Sequence, residues 1–257
     1  MTLAQILELA AAAMTAGAMN AVAGGGTLVT FPTLILLGTG SEMANATSTL
    51  ALVAGTAGSM FGYREHAKPI LSWLARFWLV SVMGGFIGAV LLTNTSDAFF
   101  AKMVPFLILF ATVLFMAQDA FRRFGRKKAE EKTTGPRAIW GAMAFQFAVA
   151  VYGGFFGAGI GILMLASLGF LGMTNIHEMN ALKTVLGSLI NLVATLWFIR
   201  AGLIDWTKAG IMTAGALVGY YLAAHYAQRI PQARVRQLIT AIGFGISAVM
   251  FYKEFVK

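Results

Sequence analysis

Apolar residues recur along this chain in long runs that show no strand-like alternation with polar positions. Eight such runs stand out, at roughly 3–38, 42–62, 70–93, 98–120, 138–172, 178–200, 205–228 and 232–252. A run of about 20 apolar residues suffices to cross a bilayer as a helix. Strands of a membrane barrel would alternate apolar and polar residues, so each run predicts a helix. The pattern breaks at one hydrophilic stretch, 121–137, which carries Arg122, Arg123, Arg126, Lys127, Lys128, Lys132 and Arg137. It separates a first membrane repeat, 1–120, from a second, 138–257, each with four segments. The expected fold class is an all-α polytopic membrane protein.

The halves are related. A shift of 135 residues lays Gly24-Gly25-Gly26-Thr27-Leu28 on Gly159-Ile160-Gly161-Ile162-Leu163, and the same shift, without a gap, lays Asn45-Ala46 on Asn180-Ala181. Internal duplication of this kind points to a transporter with its site at the repeat interface. The first segment of each half is too long for one straight crossing. Each is also interrupted by glycines: Gly24, Gly25 and Gly26 in one, Gly153, Gly154, Gly157, Gly159 and Gly161 in the other. Glycine is poor in a helix interior and permissive elsewhere, so two half-helices joined by an unwound stretch are expected. Non-helical backbone at membrane depth must be buried in protein or line a cavity.

Charge refines the arrangement. Only 11% of residues are charged, against about 25% in soluble domains, which excludes a soluble reading. The formal net charge is +9. It sits in short loops between apolar runs, so it reads as an orientation signal and not as a nucleic-acid surface. If each broken segment returns to its starting side, three basic clusters share one face: Arg64 with Lys68, the central linker, and Arg229, Arg234 and Arg236. That face would be cytoplasmic, with the Asn94–Asp97 turn and both termini outside, and the repeats would be inverted. If the broken segments cross once, Arg229, Arg234 and Arg236 fall outside, against the bias. The charge pattern favours the returning hairpin. No Lys or Arg precedes Arg64, so the apolar N-terminus lacks the basic region of a cleaved signal peptide.

The second segment of each half carries a polar stripe at helical spacing. In the second half it comprises Asn180, Lys183, Thr184, Gly187, Asn191 and Ala194; in the first, Asn45, Ser48, Thr49, Gly55, Thr56 and Ser59. Polar groups face lipid only at high cost, so both stripes are expected to point into the bundle. Ser, Thr and Gly there also fit close helix packing. Lys183 lies inside the 178–200 run, about five residues from its start. Its stem is long enough to reach the interface, but it shares a face with Asn180 and Asn191 and with no carboxylate. A fixed positive charge with amide donors suits an oxyanion. Glu178 and Glu42 could carry protons, yet Asn175-x-x-Glu178 and Ser41-Glu42 also read as helix-start capping. Trp73, Trp78, Trp140 and Trp206 lie near segment ends, where interfacial aromatic belts form.

No catalytic constellation emerges. There is no H-E-x-x-H and no cluster of His or carboxylates within one segment. There is no Cys, which removes disulfides, thiolate metal sites and persulfide relay. Gly24-Gly25-Gly26-Thr27 lacks the Gly-Lys-Ser/Thr ending of a phosphate-binding loop. No catalytic residue, metal site or cofactor is therefore expected, and no enzymatic activity.

At its glycine and asparagine motifs the chain resembles the sulfite exporter TauE/SafE family, also called the toluene-sulfonate uptake permease family. The first match runs from Asn20 through Gly24-Gly25-Gly26-Thr27 to Pro32 and on to Ala44-Asn45-Ala46-Thr47. The second runs from Tyr152-Gly153-Gly154 to Gly161, and on through Asn175-Ile176-His177 to Met179-Asn180-Ala181-Leu182-Lys183. Together they cover essentially the whole chain. Asn175 departs from the pattern, standing where many relatives carry Asp. The resemblance implies eight membrane segments in a bacterial-type inner membrane and transport of sulfur-containing anions such as sulfite, thiosulfate or organosulfonates.

Residues and resemblance converge on one expectation: a secondary transporter holding a small anion between the broken half-helices. The substrate-binding candidates are Asn20, Gly24, Gly25, Gly26, Thr27, Asn45, Ser48, Gly159, Gly161, Asn180, Lys183 and Asn191. Half-helix N-termini would supply free amides, Asn45 and Asn180 side-chain donors, and Lys183 positive potential. The expected partners are the anion and the lipid bilayer, with no nucleic acid. A proton as coupling ion and assembly as a homo-oligomer are both compatible with the sequence. The competing readings are a passive anion channel and a non-transporting membrane assembly partner.

Overall fold

The computed structural model describes residues 1–22, 25–62, 67–129, 136–171, 173, 175–226 and 232–255; helix ends bordering the remaining stretches are described by their backbone alone. Within these residues the chain is all helix and contains no strand. Ten helices follow one another: α1 (Leu3–Val22), α2 (Thr27–Leu36), α3 (Ser41–Gly62), α4 (Ala67–Thr93), α5 (Asp97–Ala129), α6 (Pro136–Phe155), α7 (Ile160–Phe170), α8 (Ile176–Arg200), α9 (Trp206–Tyr226) and α10 (Gln232–Phe255). Ten helices arise from eight apolar runs because the first run of each half is two helices. One departure from the sequence reading is α5, which continues to Ala129 through the first part of the basic stretch. Ala, Arg and Lys are good helix formers and no proline intervenes before Pro136, so nothing there stops the helix. Gly24 and the basic clusters around Arg64, Arg229 and the central linker lie outside the described residues or side chains.

Among the described residues, three helices are long and apolar enough to cross a bilayer by themselves: Ile70–Thr93, Asp97–Ala117 and His177–Arg200. The outer surface agrees with that chemistry. Leu71, Leu79, Met83, Phe106, Leu196 and Tyr221 stand exposed, while Asn45, Thr47, Ser48, Ser81 and Gln146 are buried. An apolar exterior around an interior rich in hydrogen-bonding groups is the arrangement lipid requires.

Small residues set the tightest helix pairs. α1 lies along α9 and α4 along α6. A Cβ added to Gly219 would collide with the Met14 carbonyl, and one on Gly88 with the Val151 carbonyl. Gly215-x-x-x-Gly219 and Gly84-x-x-x-Gly88 are the spacing that lets membrane helices approach closely. Both pairs run parallel: Gly215 and Gly219 meet Ala10 and Met14, and Gly84 and Gly88 meet Phe147 and Val151.

Hydrogen bonds then fix which helix ends lie together. The Lys208 ammonium donates to Thr39 Oγ1 at 2.8 Å, the Asp205 amide to Thr47 Oγ1 at 3.1 Å, and the Glu42 amide to Asp97 Oδ1 at 2.9 Å. The α2–α3, α4–α5 and α8–α9 connections therefore share one end, called here the first end. Because α1 runs parallel to α9, it also starts there, and α2 returns to it. At the far end, Leu171 and Met173 after α7 join the core that contains Ile70 near the start of α4. α6 runs parallel to α4, starting at that second end, and α7 comes back to it. α5 and α10 pack antiparallel, with Ser247 Oγ donating to the Pro105 carbonyl at 3.0 Å.

Candidate functional site

Each broken segment turns at glycines. Gly25 has φ +88°, Gly157 +83° and Gly159 +80°, values that L side chains rarely adopt. Gly159 caps α7 in the left-handed conformation with no side-chain cap. The first break is closed differently: the Gly26 amide donates to Asn20 Oδ1 at 2.7 Å. A Cβ on Gly26 would approach the Ala16 carbonyl to 2.6 Å, so the chain folds back hard against α1 here. Tyr152 Oη donates to the Ala158 carbonyl at 2.8 Å and braces the second break.

The two breaks face each other across a cavity of about 340 Å³. From the first half, Asn20, Gly25 and Thr27 line it; from the second, Gly159, Gly161, Asn180, Lys183 and Asn191. The polar stripe of α8 is thus turned inward, with Thr184 and Gly187 completing its lining. Among the described residues no carboxylate lines the cavity, and Lys183 takes part in neither an ion pair nor a hydrogen bond. The Lys183 stem packs over Gly161, where an added Cβ would lie 3.2 Å from its Cδ. Phe115, Phe156, Ile162 and Leu52 supply apolar wall.

Three candidates stand elsewhere, and a fourth is not among the described residues. Gly26 is drawn into the bond with Asn20. Asn45 is buried and its Nδ2 donates to the Phe155 carbonyl at 3.0 Å. Ser48 and Thr30 share a 2.6 Å hydrogen bond between their hydroxyls. Gly24 lies outside the described residues. The stripe of α3 is therefore split: Thr49 and Thr56 reach the cavity, while Asn45 and Ser48 face the junction of α2 and α6.

That junction is packed with rings. Phe31 meets Phe156 edge-on at 5.5 Å and Phe100 meets Phe155 at 5.4 Å. Phe31, Phe100 and Phe156 are fully buried or nearly so. α5 begins at the first end, so Phe100 places this aromatic cluster between the cavity and that end. The lining residues Asn180 and Lys183 at the start of α8, and Tyr220 late in α9, extend the cavity toward the second end.

At the helix starts, Asn175 caps α8: its Oδ1 accepts from the His177 amide at 3.0 Å, and its Nδ2 donates to Glu178 at 2.9 Å. Glu42 sits in the first turn of α3. Both carboxylates stand in the first turn of their helices, and neither lines the cavity. Sequence reasoning did not mark Tyr220, Ser188, Phe115 or Phe156 as lining residues. Ser188 stands close to the α8 stripe and was within reach of a wider reading. Tyr220 and Tyr221 are adjacent, and only the fold tells that the first faces the cavity while the second is exposed.

The family model for the sulfite exporter TauE/SafE matches residues 9–250. The chain belongs to this family. Curated relatives of similar length agree. A probable membrane transporter protein of Haemophilus influenzae is 28% identical over 239 residues, covering 92% of this chain and 90% of that protein. The probable membrane transporter protein YfcA of Escherichia coli K12 is 25% identical, covering 94% and 86%. One from Xylella fastidiosa is 26% identical, covering 96% and 94%. No solved structure matches the chain. The chain is thus a multi-pass membrane transporter of the TauE/SafE family.

Proposed function

We propose that the protein is a secondary transporter of a small sulfur-containing anion, such as sulfite, thiosulfate or an organosulfonate, across a bacterial-type inner membrane. The observation that carries this reading is Lys183. It lines a cavity that no carboxylate lines among the described residues, beside Asn180 and Asn191. An unpaired intramembrane charge is costly, and a bound anion offsets that cost. The start of α7 at Gly159 adds backbone amides and the positive end of a helix dipole.

Transport by alternating access, with repeats 1–120 and 138–257 in inverted orientation about the linker 121–137, accounts for the layout. The first broken segment leaves from and returns to the first end, the second from and to the second end. The aromatic cluster closes one side of the cavity, as a gate does. The basic clusters make the second end cytoplasmic by the positive-inside rule, so this state opens inward. Uptake against a gradient needs a coupling ion, for which a proton is the candidate. A passive channel would use the same residues but requires a continuous pore.

The test uses purified protein and a panel of sulfite, thiosulfate, sulfoacetate, taurine, sulfate and chloride, read by thermal shift. At least one sulfur anion is expected to stabilise the wild type, and Lys183→Gln to remove that stabilisation, with Lys183→Arg retaining part. If Lys183→Gln binds within about threefold of wild type, under about 0.7 kcal/mol, the ammonium is not in the site. Counterflow in vesicles separates carrier from channel.

A further inference from the structure

Hydroxyls inside this protein usually satisfy themselves. Thr33 donates to the Val29 carbonyl at 2.8 Å, Thr49 to Asn45 at 2.8 Å and Thr112 to Ile108 at 2.7 Å, each one helical turn back. Thr30 and Ser48 bond each other. Two hydroxyls on the cavity wall do neither. Ser188 Oγ on α8 and Tyr220 Oη on α9 are buried and have no acceptor among the described residues, and both residues line the cavity that holds Lys183. Thr195 also lacks a partner but is not a lining residue, so the coincidence with the cavity is what distinguishes the other two.

Tyr220 is held there by packing. A Cβ on Gly55 would collide with the tyrosine ring, so α3 has no side chain at this point and the ring lies flush against its backbone. The ring is fixed across α3 and α9, and the Asn20 side chain stands close enough to donate to its oxygen, which leaves the hydroxyl's own hydrogen without an acceptor among the described residues. Ser188 is one turn beyond Thr184 on the stripe that also presents Lys183. An unpaired buried hydroxyl is rare in native proteins and costly. Both residues donate at neutral pH. With Lys183 they make three donor residues that line one cavity and have no acceptor among the described residues.

We propose that Tyr220 and Ser188 are direct hydrogen-bond donors to the transported anion, and that they select an oxyanion over a halide. The inference rests on the anion-binding reading of this cavity. The cavity exceeds the volume of a single water, about 30 Å³, by roughly tenfold. A group with oxygens in several directions reaches donors on α8 and α9 together. A halide ion reaches them only through intervening water and gains less from each.

The experiment measures anion affinity and ligand-free melting for wild type, Tyr220→Phe, Ser188→Ala and the double variant, with Lys183→Gln as reference. The probes are thiosulfate, sulfite, sulfoacetate and chloride. Tyr220→Phe keeps the ring against Gly55 and removes only the unpaired hydroxyl. Each single variant is expected to melt no lower than wild type without ligand and to bind the preferred oxyanion about tenfold more weakly, while chloride binding changes less than threefold. Opposite signs on stability and affinity are what a purely packing role cannot produce. Wild-type oxyanion affinity in both single variants, with Lys183→Gln impaired, overturns this inference and leaves the anion reading standing. So does loss of binding in step with lowered ligand-free melting. Failure of every anion to stabilise the wild type, or an indifferent Lys183→Gln, overturns both.

Discussion

The Asn45 amide nitrogen donates to the carbonyl of Phe155 at 3.0 Å, joining residues separated by 110 positions and belonging to different halves. The bond ties α3 to the last residue of α6, whose carbonyl has no helical acceptor role left to fill. Just beside it, Thr30 and Ser48 bond across α2 and α3, and the Phe31, Phe100, Phe155 and Phe156 rings pack around both. The two halves are thus latched together on the first-end side of the cavity.

This arrangement separates two asparagines that the 135-residue shift makes equivalent. Asn180 lines the cavity and Asn45 holds the latch. Asn180→Ala is expected to weaken anion binding about tenfold. Asn45→Ala should leave affinity within about threefold and lower the transport rate, since one closed state loses its bond. Dissociation constants and vesicle uptake rates of the two variants check this. Equal losses of affinity in both would mean that Asn45 also contacts the anion.

Much of this organisation was legible in the residues. The glycine interruptions at Gly25 and Gly159 marked both chain breaks, because a positive φ there excludes most other residues. The α8 stripe from Asn180 to Asn191 marked the cavity wall, because lipid excludes such groups. The symmetry of the sequence hid the asymmetry of the state. Asn45 and Asn180 read alike until the fold gives each its neighbours. Tyr220 was silent for a related reason: its facing depends on Gly55 of another helix.

Gly187 offers a test of the cavity itself. A Cβ added there meets nothing within 4 Å, although the residue lines the cavity in the middle of the polar stripe. Gly187→Ala should therefore bind and fold as wild type, and gain a little helix stability from the loss of glycine. Gly187→Leu should project into the space that the anion occupies and abolish binding, with unchanged ligand-free melting. Normal binding in the Leu variant would place the anion elsewhere.

The glycine contacts between α1 and α9 predict a pair of opposite outcomes on one helix. A Cβ on Gly219 collides with the Met14 carbonyl, whereas one on Gly210 meets nothing within 4 Å. Gly219→Ala must push α1 from α9 and is expected to cost about 1–3 kcal/mol, the range for overpacking. Gly210→Ala should be neutral or stabilising. Thermal melting in detergent distinguishes them; equal melting would mean that α1 and α9 accommodate the methyl.

The first end holds the one ion pair among the described residues, and it predicts a pH dependence. Asp205 Oδ2 lies 3.1 Å from the Lys208 ammonium. Its Oδ1 accepts from the Lys208 amide at 3.1 Å, capping α9, and the same ammonium donates to Thr39 at 2.8 Å. Burial pushes the Asp205 carboxyl up, but the Lys208 amide and ammonium and the Thr207 amide outweigh it and hold it below the ordinary value of 3.8. A carboxylate depressed in the folded state stabilises the fold above its unfolded pKa, and that stabilisation fades as pH falls through the folded one. Asp205→Asn keeps a side chain that caps helices well and removes the charge. The wild type should therefore melt above Asp205→Asn by a constant margin at neutral pH. The margin should begin to shrink as pH approaches 3.8 and vanish below the depressed value. Asp205→Ala, which loses the cap as well, should keep a deficit of about 0.5–2 kcal/mol even in acid. A wild-type margin over Asn that is as large in acid as at neutrality would show that the pairing with Lys208 contributes nothing and that geometry alone holds this corner.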